Sequence, residues 1–248
     1  MKVIRLADRS DGVVKQGDTA AEAAGLRWLA VPGGPPVPAV LGEDPLVTQL
    51  VPTGRPTRQA AEKFGRRLGV LHAAGADAFG SPPPGGPTEA LIGRAPMRNV
   101  PSPSWSGWYA RDRVLPYVRA ARDAGILDAA EAGVCERAAA RVSAPDEPPA
   151  RLHGDLWSGN VLWAPDGAWL IDPAAHGGHR ETDLAMLALF GCPHLDTVLA
   201  AYDEATPLAC GWQARVPMHQ LFPLLVHVVL FGRGYAHQAL AAARAVPG

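Results

Sequence analysis

His153-Gly154-Asp155-Leu156-Trp157-Ser158-Gly159-Asn160, followed by Leu170-Ile171-Asp172-Pro173, is the stretch on which the reading of this chain turns. Asp155 and Asn160 lie five residues apart on one loop, and Asp172 comes seventeen residues after Asp155. Val161-Leu162-Trp163 and Trp169-Leu170-Ile171 are apolar β-forming runs. Between them, Ala164-Pro165-Asp166-Gly167-Ala168 is rich in turn formers, so the pattern predicts a hairpin that returns Asp172 to the loop. Three oxygen-bearing side chains then meet. Phosphoryl transfer uses such a set: one carboxylate orients the acceptor hydroxyl, and an Asn and an Asp hold the magnesium of the nucleotide. Asp155 suits the first role, Asn160 and Asp172 the second. Mg²⁺ takes a few protein oxygens completed by phosphate and water, so this donor set suits MgATP better than a permanent protein-only cage.

Outward from this stretch the chain divides in two. Residues 1–50 read as a small β-rich lobe with one helix, and residues 51–248 as a mainly helical lobe, which predicts a two-lobed α+β fold with a cleft between the lobes. Strands over 3–6 and 13–15 flank a turn, Asp8-Arg9-Ser10-Asp11-Gly12, and a helix follows over 20–30. A last strand over 47–50 precedes a hinge broken by Pro52, Gly54 and Pro56. Ala61, Phe64, Leu68 and Leu71 recur at helical spacing. Residues 81–87 and 143–149 read as loops, and Leu221, Leu224, Leu225, Val228 and Val229 as one apolar helix face.

Composition excludes several classes of function. A net charge of −1 over 248 residues gives no electrostatic case for nucleic acid. The start of the chain lacks the apolar core of a signal peptide and no uninterrupted apolar run approaches a membrane span, so a cytoplasmic location with no membrane partner is expected. Cys135, Cys192 and Cys210 have neither metal nor redox spacing and read as packing residues. Lys15 closes the second strand and Glu22 sits seven residues on, as a phosphate-contacting Lys and its carboxylate would. From spacing alone such a pair is more often a solvated surface pair.

His153 to Asn160, with Asp172-Pro173-Ala174 and Gly178-His179-Arg180-Glu181-Thr182-Asp183-Leu184-Ala185, resembles the fructosamine kinase (ketosamine-3-kinase) family, within the wider group of aminoglycoside-phosphotransferase-like kinases. Leu-Trp-Ser-Gly inside the loop is more particular to that family than the His-Gly-Asp it shares with the wider group. The resemblance implies a protein-kinase-like fold, ATP and Mg²⁺ as cofactors, and a ketosamine hydroxyl as acceptor, carried on a small glycated amine or a glycated protein lysine. Val14-Lys15 and Ala21-Glu22 match the family's segments, which favours the phosphate-contacting reading of Lys15 and Glu22. His153 would pack behind Asp155. Asp183, at the start of an apolar helix, would hydrogen-bond loop amides. Trp157 is the candidate for stacking on a sugar face, and His176, His179, Arg180 and His227 are candidate acceptor-pocket residues. Each of these histidines also has a purely structural reading, the one taken for His72 and His219. Members of the family carry a preceding strand and a glycine-rich turn that covers the nucleotide phosphates, whereas here only Met1 and Lys2 stand before Val3 and no glycine precedes Gly12, so the N-lobe reads as shortened. Two other readings stay open: a kinase for another small hydroxyl compound (an aminoglycoside, a choline-like alcohol or a sugar), and a catalytically silent binding module. A monomer or a homodimer fits equally.

Overall fold

The computed structural model describes residues 2–5, 11–17 and 19–247. Four short strands build the N-lobe sheet: β1 (Lys2–Arg5), β2 (Asp11–Lys15), β3 (Val40–Glu43) and β4 (Leu46–Gln49), in the order β1-β2-β4-β3. Every neighbouring pair is antiparallel. Asp8, Arg9 and Ser10 of the expected turn lie outside the described residues; Asp11 and Gly12 belong to β2, opposite Arg5 and Ile4. Helix α1 (Ala20–Leu29) buries Ala23, Ala24, Leu26 and Leu29, and it carries Glu22 in its first turn.

After the hinge, Thr57 caps α2 (Arg58–Ala73) by accepting the Ala60 N–H at 3.1 Å. Ala61, Phe64, Leu68 and Leu71, read from the sequence as its periodic face, are all buried. A Cβ on Gly65 would stand 2.2 Å from the Val198 carbonyl oxygen, so only glycine lets α2 pack this closely on α7 (Leu195–Ala205). An unanticipated hairpin follows, β5 (Glu89–Ile92) with β6 (Ala95–Arg98). The chain is then helical over 105–123: α3 (Trp105–Trp108), a π-helical segment (Tyr109–Val114) and α4 (Leu115–Asp123). Next comes α5 (Ala129–Ala139), opened by a reciprocal Asp128–Glu131 capping box.

Strand β7 (Ala150–Leu152) leads into the loop of interest, and β8 (Val161–Ala164) pairs with β9 (Gly167–Leu170) behind it. This hairpin turns through Pro165 and Asp166 alone, tighter than the five-residue turn expected. β10 (His176–Gly178) returns to pair with β7, and α6 (Glu181–Leu189) follows.

Helix α8 (Trp212–Phe231) is the axis of the C-lobe and packs on α4, α6 and α9 (Ala236–Ala245). It buries Leu221, Phe222, Leu224, Leu225, Val226 and Val228, so its apolar surface is wider than the single face expected, as befits a helix enclosed by three others. Among the described residues it is the one helix long and apolar enough to cross a membrane, a property it shares with core helices of this kind. Pro223 has no N–H to offer the His219 carbonyl. The Tyr109 hydroxyl lies 3.1 Å from that oxygen and 2.9 Å from Met218 O, and takes up the role. Cys135 and Cys192 are buried, as packing thiols should be, but Cys210 is exposed, against the packing role expected of it.

Candidate active site

The loop between β7 and β8 stays in place because its backbone is tied from beneath. Asp183, in the first turn of α6, accepts the His153 N–H at 2.8 Å on Oδ2 and the Gly154 N–H at 3.0 Å on Oδ1. Behind it, His72 Nε2 lies 3.2 Å from Asp183 Oδ2, and His72 Nδ1 lies 2.8 Å from the Tyr202 hydroxyl. Burial works to raise the Asp183 carboxyl, yet His72, His153 and the loop amide hold it below the ordinary carboxylate range. His153 is fully buried, its pKa lowered by that burial, and its Nε2 lies 2.9 Å from Ile171 O, which ties the loop to the segment carrying Asp172.

On the upper side of the loop, Asp155, Asn160 and Asp172 line one cleft of about 520 Å³ together with Lys15, Glu22 and Trp157. Asn160 donates from Nδ2 to Asp155 O at 2.8 Å and to Asp155 Oδ2 at 3.0 Å. Burial, with the negative charges of Asp183 and Asp172, outweighs that hydrogen bond and pushes the Asp155 carboxyl up to about 6. Asp172 sits at φ 55°, a left-handed conformation that a non-glycine residue seldom adopts and that clusters at functional sites. Lys15 Nζ bonds Glu22 Oε1 at 2.5 Å and also Asp172 Oδ1, so the pair that the sequence left ambiguous is a part-buried triad and not a solvated surface pair. Burial lowers the ammonium's pKa and its two carboxylates raise it further still; burial also raises Glu22 against the pull of Lys15.

The same triad borders a second hollow of about 200 Å³. Its other walls include Val13, Leu26, Pro38, Leu50, Val51 and Leu162, an apolar slot between the β4 end and the β8–β9 hairpin.

Other expected site residues lie elsewhere. His176 is buried in β10, its Nδ1 2.9 Å from Ala174 O and its ring 5.8 Å from Trp108. His179 is buried against Trp105 and His219, with ring centroids at 5.1 and 5.0 Å. Arg180 lays a two-pronged ion pair on Glu147 at 2.7 and 2.8 Å and reaches Thr206 O and Pro207 O. None of the three lines the cleft, because the segment after Asp172 pairs beneath the loop as β10 instead of running along the cleft's rim. Half-buried His227 packs among Phe190, Tyr235 and Phe231 at 4.8, 5.0 and 5.4 Å. Phe190 meets Trp157 edge-on at 6.1 Å, so His227 reaches the cleft wall only through that ring. Trp157 itself is 38% exposed and faces the cleft.

Glu89, Ala90, Leu91 and Gly93 form a wall the sequence reading missed. The signal was present: Ala90 and Ile92, then Ala95 and Met97, alternate as buried residues across the two-residue turn Gly93-Arg94.

A family model described as fructosamine kinase matches residues 19–246. A relative from Klebsiella aerogenes named probable ketoamine kinase is 34% identical over 141 residues, 57% of this chain and 49% of the relative. The matched stretch therefore spans about half of that protein. A crystal structure from Thermobifida fusca YX-ER1, provisionally named a fructosamine-3-kinase, superposes with a TM-score of 0.91 at 48% identity, covering 98% of this chain and 88% of that one. Aminoglycoside phosphotransferase APH(2'')-Ib, solved with ADP bound, superposes with a TM-score of 0.62 at 12% identity over 99% of this chain and 90% of that one, a likeness of fold alone.

Proposed function

The chain belongs to the fructosamine kinase family, whose members are phosphotransferases acting on a hydroxyl group, and we propose that it passes the γ-phosphoryl group of ATP to a hydroxyl of a ketosamine. One observation carries this reading: Lys15, Asp155, Asn160 and Asp172 line a single cleft that continues into an apolar slot of a size to receive a nucleotide base. Residues 1–50 would cover the nucleotide, and residues 51–248 would carry the catalytic loop and the acceptor.

The donor set fits Mg²⁺. Asn160 turns its amide nitrogen to Asp155, which leaves its carbonyl oxygen for a cation, and Asp172 adds a carboxylate. When bound between these two side chains, the ion would spread the charge of the phosphates. Lys15 offsets phosphate charge from the N-lobe side, held in line by Glu22. Asn160 engages Oδ2 of Asp155, so Oδ1 is the oxygen that takes the proton from the attacking hydroxyl. A carboxyl poised at about 6 is mostly ionised at neutral pH and still basic enough to accept a proton. Most of the rate would come from positioning and fixed charge, since phosphoryl transfer asks little covalent chemistry of the protein. Trp157 offers a flat face to the acceptor's carbon chain.

The acceptor would be the third-carbon hydroxyl of a fructosamine or ribulosamine, on a small amine or a protein lysine. Phosphate there destabilises the adduct, so deglycation is the proposed role. A cytoplasmic site of action fits the free thiols of Cys135, Cys192 and Cys210. The test is a MgATP-dependent assay across ribulose-lysine, fructose-lysine, free sugars, choline and an aminoglycoside. Turnover confined to the glycated lysines supports the proposal, and turnover confined to any other acceptor, or to none, overturns it.

A further inference from the structure

Beneath the active site, α6 and α8 bring together a second group of titratable side chains that phosphoryl transfer does not use. His179 lies two residues before Glu181, the first residue of α6, and His219 faces them from α8. One ligand-type atom from each of the three lies within 4.8 Å of the other two, and all three residues are buried. Among the described residues, His179 Nε2 and His219 Nε2 have no hydrogen-bond partner, although both are shut off from solvent. Each ring is fixed through its other nitrogen: His179 Nδ1 lies 3.3 Å from the Glu181 amide nitrogen, and His219 Nδ1 lies 2.9 Å from Thr182 Oγ1. His219 Nε2 stands 3.3 Å from Glu181 Oε2 without the alignment of a hydrogen bond. A second carboxylate, Glu147, has an oxygen 3.9 Å from His179 Nε2.

Buried polar atoms go unpaired rarely, and two on facing rings point to a missing partner shared by both. We propose that His179, Glu181 and His219 bind a divalent transition cation of the Zn²⁺ class, which would pin the start of α6 to α8. Two imidazoles and a carboxylate are a donor set that Zn²⁺ favours and Mg²⁺ does not. Both rings are buried, and a neutral imidazole is the form that ligates metals. The third donor is the carboxylate of Glu181. Arg215 grips both its oxygens, at 2.8 and 2.5 Å, and so orients the group the ion would share. Binding through His179 Nε2 moves that ring's proton to Nδ1 and gives up the long 3.3 Å contact with the Glu181 amide.

The experiment uses the full chain stripped with EDTA and titrated with Co²⁺ and Zn²⁺ alone, with no nucleotide. One equivalent of Co²⁺ should give the intense visible bands of a tetrahedral, imidazole-ligated ion, distinct from the faint spectrum of an all-oxygen site such as Asn160 with Asp172. Excess Zn²⁺ should raise Tm by about 5 °C. Both signals should disappear in His179→Gln and in His219→Gln, each checked for folding by circular dichroism, and persist in Asp172→Asn. Loss in both folded variants supports the site. A parent without the intense bands, or bands unchanged in a folded histidine variant, overturns it.

Discussion

Asp155 and Asp183 serve the same loop from its two sides, and their carboxyls are held in opposite states. Asp155 lines the cleft with Asn160 as its side-chain partner, and burial beside two other carboxylates pushes it up to about 6. Asp183 is buried under the loop with two backbone amides and His72 bonded to it, and they keep it ionised. The difference lies in the number of donors supplied, since both groups are desolvated. A carboxylate short of donors can pick up a proton during a reaction, whereas one saturated with donors can only hold structure.

Breaking the reactive side of this pair should have the largest effect. Asp155→Asn is expected to lower kcat by about 10³-fold, measured as phosphate transfer to ribulose-lysine, because it removes the proton acceptor. In the parent, kcat/KM should fall tenfold per pH unit below about 6 as this carboxyl protonates. The same substitution should stabilise the fold. A carboxyl raised above its unfolded value contributes stability that is complete below about pH 4 and is lost as the pH rises through about 6. At pH 7 the Asn variant should therefore be more stable by about 1 kcal/mol after allowance for solvent screening, and at pH 4 the two should coincide in urea unfolding.

On the structural side, Asp183→Ala leaves two loop amides and His72 without their acceptor. A loss of about 3 kcal/mol in urea unfolding is expected, together with loss of turnover as the loop comes untied. Trp157→Ala sharpens the contrast at the acceptor end: KM for the ketosamine should rise about 10-fold with little change in the KM for ATP. His176→Gln, away from the cleft, should leave both KM values unchanged. The smallest loss of stability belongs to Tyr202→Phe, which deprives His72 Nδ1 of its partner two steps behind the loop; about 1 kcal/mol is expected, seen as a Tm lower by ~2–4 °C.

The parts of the site that were legible in the sequence are those whose geometry is local. Asp155, Asn160 and Asp172 are brought together by one loop and one hairpin, so spacing and turn formers suffice to place them. Lys15 and Glu22 needed the family likeness, since their meeting with Asp172 is tertiary. The acceptor side misled for a physical reason. A Cβ on Gly177 would stand 2.1 Å from Ala78 O, and one on Gly178 2.4 Å from Leu152 Cδ1. These glycines serve close packing, so His176, His179 and Arg180 are drawn into the body of the C-lobe. His72 reads as structural from the sequence, but its partners do not: its hydrogen bonds to Asp183 and Tyr202 span 111 and 130 residues, beyond any local pattern.

Tyr109 closes the gap that Pro223 opens in α8, and this makes the wholeness of that helix a property of two segments distant in sequence. Within α8 the carbonyl of His219 has no backbone donor four residues on, so its partner comes from outside the helix. One phenol from an earlier stretch of the chain thus supplies what the backbone of a later helix lacks, and a peptide spanning 212–231 alone would be without that bond.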